Sequence, residues 1–275
     1  MSADEPSTRA GPSSGAAAGS VHVESVGTGA PLVLLHGWAM HGGWWAPLLP
    51  DLARRFRVHV VDLPGHGHSR SAGPVTLAGI VAVLATHFAE ATALPVIGWS
   101  LGAMVALAWA RCAPTQVGRL LLVGATPRFV CGPDWPHGID AAVLQRFADE
   151  LEASYRLTLQ RFLSLQLHGA NTDRTTLAAM RQQLFARGAP DPAALVAALD
   201  ILRHADLRAE VHDVSQAALL VAGDRDTLIP PGASRWLATA MPRASLRWIP
   251  GAGHVPFLSH RDAFRKTLAE FADAS

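Results

Sequence analysis

Gly98-Trp99-Ser100-Leu101-Gly102 is the pentapeptide in this chain whose residue types and spacing point most directly to chemistry. A serine between two glycines, directly after a short apolar run and directly before an apolar helical stretch, describes a tight strand-to-helix turn. Bulky side chains at Gly98 or Gly102 would collide with neighbouring backbone, and the turn lifts the serine clear of the sheet edge. At the start of the helix, unpaired N–H groups and the helix dipole favour developing negative charge. The chemistry expected is attack by Ser100 on an acyl carbon, which is ester hydrolysis through an acyl-enzyme.

A serine hydroxyl is a poor nucleophile near neutrality and needs a base to take its proton. In turns of this kind the partners follow the serine in the order acid, then histidine. Thirteen histidines compete for the role of base. His66 and His68 precede the serine, whereas His254, in Gly251-Ala252-Gly253-His254-Val255-Pro256-Phe257, follows the last strand-like run near the C-terminus. The acid, which holds the imidazole in the right tautomer, is expected in Gly223-Asp224-Arg225-Asp226-Thr227-Leu228-Ile229-Pro230. Asp226 is the first choice, and position leaves Asp224 open. The tetrahedral intermediate needs two donors for its oxyanion: the N–H of Leu101, and the N–H of Trp38 from the loop His36-Gly37-Trp38-Ala39-Met40.

Other patterns carry less. Asp62-Leu63-Pro64-Gly65-His66-Gly67-His68-Ser69 lacks the Lys-Ser/Thr ending and the glycine spacing of a phosphate loop, and reads as a tight turn after a strand. His66-x-His68 has no third ligand at a useful spacing, so no metal is expected, nor any organic cofactor. Trp38, Trp44 and Trp99 lie close in sequence to the proposed site and are expected to line an apolar channel.

These residues need a scaffold, and the apolar runs describe one. Short, β-branched runs at residues 32–35, 58–61, 96–97, 120–123, 218–221 and 246–249 read as buried parallel strands. Helix-length segments lie between them at 44–55, 76–92, 101–112, 233–240 and 262–274. The alternation indicates an α/β fold, a mostly parallel sheet with helices on both faces and the site at the carboxyl ends of the strands. Residues 128–208 break the pattern. They hold only amphipathic helical stretches (139–153, 157–167, 172–187 and 192–204), too long for a crossover, and read as a helical lid inserted into a core of residues 21–127 and 209–275.

With 275 residues, 49% apolar and 16% charged, the chain can bury one large core. Its net charge of +1 gives no global field for nucleic acid or an anionic membrane. No apolar run approaches the roughly 20 residues of a membrane span. Residues 1–20 lack the apolar segment of a secretory signal and read as a disordered tail. Cys112 and Cys131 are expected as reduced thiols in a cytoplasmic protein, and a monomer is expected.

Several stretches resemble one family within the α/β hydrolases, the pimeloyl-[acyl-carrier protein] methyl ester esterases of biotin synthesis. They are the Gly-Trp-Ser-Leu-Gly turn, Leu-Leu-His-Gly-Trp, Val-Asp-Leu-Pro-Gly-His-Gly-His-Ser, Arg161-Phe162-Leu163-Ser164-Leu165-Gln166, and Leu199-Asp200-Ile201-Leu202-Arg203 with Asp206-Leu207-Arg208. The first three are widespread in α/β hydrolases, and the insertion segments separate this family from its relatives. The resemblance implies Ser100, Asp226 and His254 as catalytic triad. It also implies substrate contacts at Trp38, Ser100, Leu101, Phe162, Leu163, Ser164, Leu165, Gln166 and His254. The family's acid loop commonly reads Gly-x-x-Asp-x-x-Val-Pro; here Ile229 replaces Val, and the match supports Asp226.

The implied partner is an acyl-carrier protein bearing the substrate, with Arg161 and Arg174 as docking residues. Between residues 155 and 190 five arginines face one aspartate, a local balance of +4 in a chain of +1. An acidic carrier needs such a face, although a solvated helix surface can also be basic. The alternatives on the same scaffold are a general short-chain carboxylesterase, a perhydrolase or a carbon–carbon bond hydrolase. Outside catalysis, the alternative is a slow-turnover ligand receptor that retains the triad.

Overall fold

The apolar runs pair side by side in a computed structural model that describes residues 21–71, 75–171 and 174–273, with the side chain of Arg174 excluded. The expected tail, residues 1–20, lies outside the described residues. Seven strands form one sheet: β1 (His22–Val26), β2 (Ala30–Leu35), β3 (Phe56–Asp62), β4 (Leu94–Trp99), β5 (Val117–Val123), β6 (Ala217–Gly223) and β7 (Ala244–Ile249). Their spatial order is β1-β3-β2-β4-β5-β6-β7, with β1 antiparallel to β3 and all other pairs parallel.

Strand character follows position in that order. Central β4 and β5 are almost wholly buried, as near-continuous apolar runs between two helical layers must be. The edge strand β7 alternates exposed and half-buried residues. The sequence reading missed β1, whose His-Val-Glu-Ser-Val is too polar to stand out as a buried run; it is an edge strand held by pairing with β3.

The helices are α1 (Leu49–Leu52), α2 (Leu77–His87), α3 (Leu101–Cys112), α4 (Ala141–Gln166), α5 (Arg174–Gln183), α6 (Pro192–His204), α7 (Pro231–Ala240), α8 (Pro256–Ser259) and α9 (Arg261–Asp273). Helix α3 is apolar all round and sits between β4 and the outer helix layer, with its first ten residues buried. The segment read as one helix over 44–55 is instead a 3₁₀ turn (Gly42–Leu48) followed by the single-turn α1, where Pro47 and Pro50 interrupt regular backbone donation.

Helices α4–α6 occupy the chain between β5 and β6. The two ends of this insertion are clasped by an antiparallel bridge between Arg128 and Asp206 and by the Leu207 N–H donating to the Pro127 carbonyl at 2.8 Å. The two helices expected at 139–153 and 157–167 run together as α4, bent at Ser154 (φ −157°, ψ 66°). The Thr158 hydroxyl lies 3.0 Å from the carbonyls of both Glu150 and Ser154 and so serves the acceptors freed by the bend. Among the described residues no helix is long and apolar enough to cross a membrane. Cys112 and Cys131 are both free.

Candidate active site

From β2 the chain steps to β3 on one side and then returns to β4 on the other. The carboxyl ends of β2 and β4 therefore meet at the point where strand order reverses, the natural crevice of such a sheet. Ser100 follows β4 there, with φ of 55°, a conformation that side-chain-bearing residues rarely adopt. Its amide donates to the Val123 carbonyl at 2.9 Å, and its hydroxyl is not used to cap α3.

The flanking glycines are required by close approach. A Cβ on Gly98 would fall 2.4 Å from the Gly102 carbonyl oxygen, and one on Gly102 would fall 2.3 Å from that of Leu35. The second contact packs the elbow directly against the end of β2, which leads into the loop of His36, Gly37 and Trp38. A Cβ on Gly37 would lie 3.3 Å from the Ser100 Cβ, so this loop runs alongside the serine. Among the described residues, neither the Trp38 N–H nor the Leu101 N–H donates to a protein acceptor, although both residues are buried. Two N–H groups on the neighbouring loops that flank Ser100 are therefore left without protein acceptors, the condition a pair of donors to an anionic oxygen must meet.

His254 enters from the loop after β7. Its Nδ1 donates to Asp226 Oδ2 at 2.8 Å, and both side chains are buried. The other carboxylate oxygen, Oδ1, accepts from the N–H groups of Leu228 and Ile229, each at 2.9 Å, which fixes the plane of the acid. Asp224 does different work: its Oδ1 accepts the Gly251 N–H at 2.6 Å and ties the acid loop to the loop carrying His254. Position left the two aspartates open; the geometry separates them.

The histidine backbone is held on both sides. Its N–H donates to the Gln166 carbonyl at 3.0 Å, and its carbonyl accepts from Trp99 Nε1 at 3.1 Å. The imidazole lies against Gly124, where an added Cβ would come within 2.8 Å of its Cε1. Gly124 follows Val123, the residue whose carbonyl receives the Ser100 amide, so the ring stands beside the serine with Nε2 unused by Asp226.

The three tryptophans divide their tasks. Trp38 packs edge-on against Phe162 at 5.0 Å and Phe147 at 5.5 Å, both on α4, and donates from Nε1 to Leu195 on α6 at 3.0 Å. It therefore ties the loop after β2 to the insertion. Trp99 anchors His254, and Trp44, packed 6.1 Å from Trp99, lines a cleft of about 130 Å³ beside Met180 and Leu258.

The run Phe162, Leu163, Ser164, Leu165 and Gln166 is split by helical periodicity. Phe162 is half-buried and Leu163 and Gln166 are buried, whereas Ser164 and Leu165 stand on the outer surface. Both amide atoms of Gln166 are buried without a protein partner, next to the loop of His254. The basic residues of the insertion are also divided. Arg187 is turned inward onto Asp62 and Glu24, and Arg161 pairs with Glu150 across the bend of α4 at 3.0 Å. Sequence counting could not see either pairing, because the acids lie outside the counted window. The side chain of Arg174 lies outside the described residues.

Sequence reasoning also passed over Asp62. This fully buried carboxylate accepts from the N–H groups of Gly42 (2.6 Å) and His68 (2.8 Å) and from Arg187 (3.1 Å). Burial alone would raise it, but neighbouring His36, the two N–H groups and the Arg187 guanidinium hold it below the usual carboxylate range. The signal in the sequence was its place at the end of a strand, ahead of a turn with left-handed glycines at Gly65 and Gly67.

A parallel sheet with a strained serine at the strand-order reversal and a buried His–Asp pair beside it defines an α/β hydrolase. The model of the alpha/beta hydrolase family matches residues 32–267. The chain is 44% identical over 245 residues to the pimeloyl-[acyl-carrier protein] methyl ester esterase of Nitrosomonas europaea, covering 89% of this chain and 96% of that protein. It is likewise 44% identical over 250 residues to the protein of that name from Chromobacterium violaceum, covering 90% and 96%. An esterase from Exiguobacterium antarcticum superposes with a TM-score of 0.84 over 92% of this chain and 95% of that one; at 20% identity this likeness speaks for the fold alone. The chain belongs to this family of α/β-hydrolase esterases and is a serine carboxylesterase.

Proposed function

We propose that this esterase removes the methyl group from a pimeloyl methyl ester carried on acyl-carrier protein, in the cytoplasm, with residues 128–208 as a lid over the site. Ser100 attacks the ester carbonyl while His254 Nε2 takes its proton and Asp226 steadies the resulting imidazolium. The oxyanion is received by the N–H groups of Trp38 and Leu101, and methanol leaves with the proton returned by His254. Water, deprotonated by His254, then cleaves the acyl-enzyme and frees Ser100.

The observation that carries the substrate assignment is the 44% identity to esterases named for this reaction, over 245 of 275 residues. A match of that length must run through most of the insertion, the region that varies among hydrolases of different specificity. The mechanism is supported by the 2.8 Å His254–Asp226 bond and by the paired unsatisfied N–H groups beside Ser100.

Carrier docking has local support. Leu157, Arg161 and Leu165 fall at i, i+4 and i+8 along α4, and the two leucines are 47% and 43% exposed. An outward strip of apolar groups around a cation suits an acidic carrier helix. Arg156, stacked at 4.7 Å over Phe185, and Arg181 add charge nearby, whereas Arg187 does not face outward.

Two measurements test this reading. Ser100→Ala should lower ester hydrolysis by about 10⁴–10⁶-fold while leaving the fold intact; substantial residual turnover would remove the nucleophile assignment. The kcat/KM for a carrier-bound pimeloyl methyl ester should exceed that for the free methyl ester, and equal values would leave a general short-chain esterase.

A further inference from the structure

The mechanism above does not use His36, although this histidine is fully buried beside the reaction centre. Its Nε2 lies 2.9 Å from the Leu63 amide, which can only donate, so Nε2 is the acceptor and the proton sits on Nδ1. That Nδ1–H lies 2.8 Å from the carbonyl of Gly37, the next residue. Burial pushes the imidazole down to about 3, with the neighbouring His66 adding to the effect, so this neutral tautomer persists throughout the neutral range.

The Gly37 carbonyl is thereby held from one side by the His36 ring and by the Met40 N–H at 3.2 Å. The described chain contains no cis peptide bonds, and across a trans peptide the next N–H points opposite to the carbonyl. That next N–H belongs to Trp38. A Cβ added to Gly37 would meet the Ser100 Cβ and the Trp99 ring at 3.3 Å, so this residue runs alongside the nucleophile, and the Trp38 N–H that follows it has no protein acceptor among the described residues. A peptide flip would turn a carbonyl toward Ser100 and remove one of the two donors.

We infer that His36 is a positioning residue: its Nδ1–H holds the Gly37–Trp38 peptide so that the Trp38 N–H faces the oxyanion formed on Ser100. The inference rests on the proposed roles of Ser100 and the two N–H groups. It extends the site to a second layer, because Leu63, which holds the ring, is the first residue beyond β3 and adjoins the Asp62 hub.

The test uses two variants of the full chain. In His36→Gln the amide can still accept from Leu63 but places no donor at the Nδ1 locus. In His36→Asn the amide nitrogen falls near that locus and can still donate to Gly37. Hydrolysis of a free alkanoyl methyl ester and inhibition by an alkyl trifluoromethyl ketone, which forms an oxyanionic adduct with the serine, are measured for both. His36→Gln should lose about 10²-fold in kcat and a similar factor in ketone affinity, with KM changed less than about 3-fold. His36→Asn should recover most of both losses.

Retention of kcat and ketone affinity within about 3-fold in a folded His36→Gln protein would overturn the inference. So would equal losses in the two variants, or a rise in KM that matches the fall in kcat. If His36→Gln does not fold, His36→Asn decides alone: retained ketone affinity supports the positioning role, and its loss in a folded protein overturns it. Ser100→Ala, run in parallel, separates the two layers of the argument. Activity surviving in that variant would sink the site itself, whereas its loss beside an unaffected His36→Gln would sink only the role of His36.

Discussion

The elbow and the insertion hold their residues in opposite ways. Around Ser100, position is set by backbone pressed on backbone at Gly98 and Gly102 and by the His254 ring pressed on Gly124, none of which leaves room for a single added carbon. Helix α4 instead packs Leu144, Leu151, Leu159 and Leu163 into the core while leaving Val143, Leu157 and Leu165 exposed, and the insertion it belongs to is tied to the sheet by a few polar anchors. These are the Gln166 carbonyl on His254, the Leu195 carbonyl on Trp38, the Gln183 carbonyl on His41 and Arg187 on Asp62. Close-packed backbone has one arrangement, which suits bond-making chemistry; a surface tied at points can vary its outer residues, which suits choosing a substrate.

The largest expected effect lies within the core. Asp226→Asn should lower kcat by about 10⁴-fold, because an amide cannot stabilise the imidazolium or fix the tautomer. Asp224→Asn should cost less than about 10-fold, since its oxygen still accepts from Gly251. Similar losses in steady-state kcat would erase the distinction between the aspartates.

A second prediction concerns the strongest anchor between the two regions. Arg187→Ala leaves Asp62 and Glu24 without their cation and should destabilise the fold by about 3–5 kcal/mol in urea unfolding. A change under about 1 kcal/mol would mean the ion pair is screened as if exposed.

Acid should weaken the same junction. Burial holds His36, His41 and His66 below the usual imidazole range in the folded protein. The unfolded chain takes up protons as pH drops below about 6.5, and the folded chain does not until near the lowered values. Their contribution is therefore complete above that range and declines as pH falls toward about 3, the value for His36. Thermal unfolding between pH 7 and 4 should show Tm falling steadily, and His36→Asn should flatten that slope. A Tm independent of pH over this interval would contradict the buried neutral tautomers.

The smallest effect belongs to the outer surface. Arg161→Glu should raise KM for the carrier-bound ester by about 5–10-fold and leave the free ester unchanged, as expected for one exposed charge at an interface. An equal change on both substrates would place Arg161 in folding and not in docking.

The elbow was legible because its requirements are local: a strand, a serine between glycines and an apolar helix are contiguous in the chain. Helices α3 and α6 appear at the residues their periodicity indicated, α6 with Asp191 as cap and Pro192 in its first turn. Strand β1 was not legible, since an edge strand needs no buried apolar run. Neither was the fusion of two helical stretches into α4, where Thr158 spans the bend.

The charge of the insertion shows the same divide. Arg187 reads as one more cation in a basic stretch, yet its partners Asp62 and Glu24 lie 125 and 163 residues away. Sequence distance hides such pairs because charges interact through space and not along the chain.

By itself, then, the sequence determined the fold class and the family, and singled out Ser100 as the candidate nucleophile, since the elbow and the family motifs are each written in contiguous residues. Only the tertiary structure decided that Asp226 and not Asp224 meets His254, that Trp99 anchors the His254 carbonyl, and that His36 bridges the Gly37 carbonyl and the Leu63 amide. Those choices depend on hydrogen bonds of about 3 Å between segments distant in the chain, and such distances exist only once the sheet has brought its strand ends together.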